Sequence, residues 1–108
     1  MARITVVYWR DIPAQVLAGS GRRAAKVVLP ERFEQAIDRA AMRAGACGTD
    51  AYLACWRRVP EGEAEGEDRA AAEARAAEIE AAWPPERLRA VALAGGREGV
   101  RVDVKDER

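Results

Sequence analysis

Ile4-Thr5-Val6-Val7-Tyr8-Trp9-Arg10-Asp11-Ile12-Pro13-Ala14-Gln15-Val16-Leu17-Ala18 is the stretch that decides the fold. Side chains alternate across a strand, so a strand over residues 3–10 sends Ile4, Val6 and Tyr8 one way and Thr5, Val7 and Trp9 the other. Both faces are largely apolar, which reads as a central strand covered on at least one side. Ile12-Pro13 reads as its break, residues 14–18 as a second strand, and Gly19-Ser20-Gly21 as a turn. Residues 22–29, with Arg22, Arg23 and Lys26 between apolar positions, suit a third strand. Adjacent strand residues face opposite ways, so Tyr8 and Trp9 cannot both enter one core. One of them, with Arg10 or Asp11, is expected near a strand end, where sites often form.

Moving outward, Leu29-Pro30-Glu31-Arg32-Phe33 opens a helix. Proline suits the first turn and Glu31 meets the positive end of the dipole. Phe33, Ile37, Ala40 and Ala44 form one apolar stripe, and Gly45 is a natural stop. A second helix begins at Gly48-Thr49-Asp50, with Thr49 as N-cap; Tyr52, Leu53 and Trp56 are its apolar side and Arg57 and Arg58 its basic end. Residues 60–67, Pro-Glu-Gly-Glu-Ala-Glu-Gly-Glu, read as a flexible acidic loop. Residues 68–82 are an alanine-rich helix with Ala72, Ala76, Ile79 and Trp83 on one face. Glu65–Arg69, Arg69–Glu73 and Arg75–Glu78 are its candidate charge pairs. Pro84-Pro85 ends it. Residues 85–94 read as a short helix packing Leu88, Val91 and Ala92 and stopped by Gly95-Gly96, although arginine alternation there also suits a strand. The tail, residues 97–108, contains an alternating Val100–Val104 segment, an edge strand or a frayed extension. The fold class expected is α+β: a small N-terminal antiparallel sheet of two to three strands packed by three to four helices, with a C-terminal edge strand as a further element. The 108 residues suit one domain.

Composition excludes several chemistries. The chain has no histidine, the commonest general base and transition-metal ligand, and Cys47 and Cys55 are its only thiols. Two thiols eight residues apart make neither a disulfide framework nor a zinc site. We therefore expect no catalytic residues, no metal and no cofactor. The first charge-free apolar run is too short for a signal-peptide core, and no window approaches the ~18 apolar residues of a membrane span. A cytoplasmic location and no membrane partner follow as expectations. Eighteen bases balance eighteen acids. Residues 1–44 carry a net +4 and residues 45–83 a net −5. The basic first part raises nucleic-acid binding as a reading, and the acidic part argues against it.

Met42 lies about 180° around its helix from Phe33, among Gln35, Asp38 and Arg39, where a flexible apolar side chain suits a partner contact. Isolated exposed apolar residues are also ordinary. Cys47, near a glycine and a helix start, is the better redox candidate of the two thiols. Arg22, Arg23, Lys26 and Arg32 suggest an anion site beside the helix start at Pro30, but Gly19-Ser20-Gly21 lacks the rest of any phosphate-loop pattern.

Three blocks carry a family resemblance. Ile4 through Val16, then Leu29-Pro30-Glu31-Arg32-Phe33 through Ala36-Ile37-Asp38-Arg39-Ala40-Ala41-Met42, then Asp50-Ala51-Tyr52-Leu53 with Trp56-Arg57, resemble the successive motifs of the bacterial virulence factor domain family. Such domains occur alone and as the terminal part of a longer conserved virulence factor that also carries HEAT-like repeats. The resemblance implies a candidate binding surface at Tyr8, Trp9, Arg10, Asp11, Gln15, Arg32, Asp38, Met42, Tyr52 and Trp56, and no assigned catalytic residue. The expectation is a non-catalytic protein-interaction or accessory module with another protein as partner. Its surface would run from Trp9 to Gln15 and onto the polar face of the Pro30–Ala44 helix. The alternative is a binder of a small anionic metabolite or cofactor, held by Arg10, Gln15 and Arg32 beside Tyr8 or Trp9, in an enzyme's accessory subunit.

Overall fold

A computed structural model describes residues 1–45 and 48–98. Four strands, β1 (Ala2–Trp9), β2 (Ile12–Ala18), β3 (Ala25–Val28) and β4 (Trp56–Ala64), form one antiparallel sheet in the order β3-β2-β1-β4. Helices α1 (Glu31–Arg43) and α2 (Thr49–Ala54) cross between β3 and β4, and α3 (Asp68–Ala82) and α4 (Pro85–Leu93) follow. The fold is α+β, with one strand more than the sequence suggested.

That strand is β4, and it replaces two expected elements. Trp56, Arg57 and Arg58 leave the second helix, which stops at Ala54, and the stretch read as an acidic loop becomes the far half of the strand. Proline and glycine argued against a strand. Among the described residues, however, β4 is an edge strand, where half the amides point away from the only neighbour and Pro60 is tolerated. Its arginines and glutamates also protect that edge against pairing with other chains. A bulge completes the adjustment: Ile4 pairs with Gly62 and Thr5 with Pro60, so Glu61 is the extra residue. Glu61 then receives two hydrogen bonds from Arg75 of α3, at 2.7 and 3.0 Å.

Three smaller expectations change. Ile12-Pro13 begins β2 rather than ending the ribbon, because Pro13 sits opposite Tyr8 beside a register shift between Val7 and Tyr8. Ala14, the residue that shift skips, gives its carbonyl to the Leu29 amide at 3.0 Å. Gly48, not Thr49, is the N-cap of α2. Arg69 bonds the Lys26 carbonyl rather than pairing with Glu65 or Glu73, whereas Arg75–Glu78 forms as expected at 3.1 Å. The helix reading of residues 85–94 holds over Pro85–Leu93. Cys47 and the alternating Val100–Val104 segment lie outside the described residues.

One sheet face carries the main core. Ile4 pairs with Ala18, and Val6 with both Val16 and Val59, so these side chains share that face. Against it lies α3, whose buried residues are Ala71, Ala72, Ala76 and Ile79. Small side chains let the helix approach closely. Helices α1 and α4 pack on each other through Phe33, Ala36, Ile37, Leu88, Val91 and Ala92 and close the end of the sheet where β1 meets β2. Each large side chain buried here contributes about 1.5–3 kcal/mol.

Candidate functional site

The ten residues singled out by the sequence divide among five places. Trp9 is wholly buried, so it is an anchor and not a surface. Its register partner is Trp56. Its indole N–H donates to the Tyr52 carbonyl at 3.0 Å, and its ring lies 5.8 Å from the Tyr52 ring. Gly96 presses on the other side: a Cβ there would meet the Trp9 ring at 3.0 Å, and its φ of +91° is a conformation glycine adopts without strain.

Arg10 and Asp11 form a clasp at the β1–β2 turn. Arg10 takes a left-handed conformation, φ +56°, which allows the two-residue reversal. Its side chain donates to Cys55 Sγ at 3.2 Å and to the Gly95 carbonyl at 3.0 Å, and its guanidinium lies over the Trp9 ring. Asp11 accepts from the Glu98 amide at 2.7 Å and from Arg57 at 3.3 Å. Arg57 also covers the Tyr8 ring, while Arg87 covers Trp83 and grips Glu98 at 2.6 and 2.7 Å. Every charge in this clasp has an internal partner. It fastens the end of α4 to the sheet, and burial, with Glu61 nearby, pushes the Tyr8 hydroxyl pKa upward.

Arg32 is also engaged internally. It lies over Phe33 and donates to the Glu80 and Trp83 carbonyls at the C-terminal end of α3. Arg10, Gln15 and Arg32 therefore face three different places, not one pocket. Met42 is 72% exposed, and Asp38 is exposed on the same helix.

The remaining residues, Gln15, Tyr52 and Trp56, come together. Register puts Val7, Gln15 and Val28 side by side, with Arg58 beside Val7. This is the sheet face opposite α3. Val28 is 68% exposed and Leu17 is half-buried. Where α1 and α2 overhang it, a cavity of about 240 Å³ is lined by Gln15, Val28, Leu29, Glu34, Tyr52 and Trp56, among others. A second depression of about 620 Å³ shares Gln15 and Trp56 and continues to Val7, Arg57 and Arg58. The Tyr52 and Trp56 rings meet edge to face at 5.9 Å. Burial, then the Asp38 and Glu34 carboxylates, push the Tyr52 hydroxyl pKa upward, and a hydrogen bond with Trp56 opposes them. The groove thus offers aromatic and aliphatic contact between a carboxylate at one end and guanidinium groups at the other. Val28 and Glu34 were missed from the sequence. Val28 pairs with Gln15 on one sheet face, and Glu34 reaches the groove from α1.

Among the described residues, no group of three or more acidic or thiol side chains is placed to hold a metal ion. No described helix is long and apolar enough to cross a membrane. No curated protein and no solved structure matches the chain. A family model described as virulence factor matches residues 7–92, from within β1 to the last turn of α4, and the chain belongs to that family.

Proposed function

We propose that this chain is a non-catalytic, cytoplasmic protein-interaction or accessory module of the virulence factor family, and that it binds through the sheet face opposite α3. The observation that carries this is exposed Val28 beside half-buried Gln15, at the mouth of the aromatic groove of Trp56 and Tyr52. Contiguous apolar surface rimmed by polar groups marks interaction sites, and aromatic side chains dominate their energetics. The fitting partner presents an apolar anchor to the groove, a basic group to Glu34 and an acidic group to Arg58. This moves the surface away from Trp9, Arg10 and Asp11, which are engaged within the fold, and keeps Gln15, Tyr52 and Trp56.

The test is affinity purification of the tagged full chain from its host, comparing wild type with Val28→Arg and with Glu73→Lys on α3. Val28→Arg loses the specific partner while its Tm is unchanged, and Glu73→Lys retains it. Retention of every partner by Val28→Arg rejects this surface.

A further inference from the structure

A hollow of about 110 Å³ between α1 and α4, separate from the sheet groove, is lined by Arg32, Gln35, Arg39, Leu88 and Arg89, with Ala36 and Pro85. Residues 32, 35, 36 and 39 form one stripe of α1, and residues 85, 88 and 89 one stripe of the first turns of α4. Three arginines thus border one small space that no carboxylate lines. Among the described residues, neither Arg39 nor Arg89 has an ion pair. Arg32 is a fixed wall of the hollow. Its Nη2 is held by the Glu80 and Trp83 carbonyls, yet its buried Nε has no hydrogen-bond partner. That Nε is closed to solvent, so Arg32 borders the hollow as a fixed positive charge rather than as a donor into it.

We propose that this hollow binds the phosphoryl group of a small phosphorylated molecule, or free phosphate. Planar guanidinium forks match tetrahedral oxyanions, and Gln35 adds an amide donor. The positive N-terminal end of α4 borders the same space. The volume is well below the roughly 300 Å³ at which pockets for drug-sized ligands begin, so only the anionic end of a larger molecule enters. Arg39 and Arg89 do the binding, and Arg32 is held in place by the end of α3.

The test is a heteronuclear NMR titration of the full chain with inorganic phosphate, glycerol phosphate and citrate, each at matched ionic strength against chloride. Saturable shifts confined to the facing stripes of α1 and α4, weakened roughly tenfold or more in Arg39→Gln/Arg89→Gln, are the expected result. Tighter binding of glycerol phosphate than of inorganic phosphate identifies a phosphomonoester as the source, and the reverse identifies free phosphate. Shifts that track ionic strength alone, equal binding by the double variant, or tighter binding of citrate would overturn the assignment. The two substituted side chains are exposed, and the unchanged Tm expected of the variant is read in the same samples.

Discussion

Trp9 joins β1, α2 and the loop after α4 through one ring: its N–H on the Tyr52 carbonyl, its face against Gly96, and the Arg10 guanidinium beyond. Trp9→Ala removes the largest buried side chain and is expected to destabilise the fold by about 3–5 kcal/mol in urea denaturation. Gly96→Ala adds a methyl at 3.0 Å from that ring at a positive φ, and about 1–3 kcal/mol of loss is expected. The two tyrosines give a pH signature. Burial raises both hydroxyl pKa values above the usual 10.0, so the folded chain keeps these protons longer than the unfolded chain. The resulting stability is fully present below pH 10 and declines as pH rises past that value toward the folded-state pKa. Ultraviolet titration should place both phenol midpoints higher in the native protein than in urea. A native midpoint at or below the denatured one contradicts the burial described for Tyr8 and Tyr52.

At the scale of elements, the hydrophobic period made β1, α1, α3 and α4 legible. Phe33, Ile37 and Ala40 lie on one helix stripe, and Ala72, Ala76 and Ile79 on another. Strand β4 was hidden because its stability is tertiary. Pro60 and Gly62 carry local breaker signals, and only pairing with β1 outweighs them. A clue was present: a strand apolar on both faces wants neighbours on both edges, and β2 with β3 fills just one. Amide exchange tests the assignment. Alternate residues of β4 between Arg57 and Glu63 should exchange slowly, whereas uniform fast exchange would restore the loop. The Glu61–Arg75 pair, which also raises the Arg75 pKa through its hydrogen bond, is partly exposed. Glu61→Gln should therefore cost no more than about 1 kcal/mol.

At the scale of the molecule, the sheet separates a structural face from an available one. The α3 face holds the core, and the turn clasp of Arg10, Asp11, Arg57, Arg87 and Glu98 locks the last helix to it. Of the candidate residues, Gln15, Tyr52 and Trp56 line one groove. The sequence alone does not separate them from Trp9, Arg10 and Asp11, because only the folded chain shows that Tyr52 and Gly96 cover Trp9 and that the two charges find partners within the fold. The opposite face, from Val28 to Trp56, carries the functional proposal. A photoreactive amino acid at Val28, compared with one at Glu73, tests it inside the host cell. A discrete covalent adduct is expected from position 28 and none from position 73. An adduct from position 73 with none from position 28 would place the partner on α3 and contradict it.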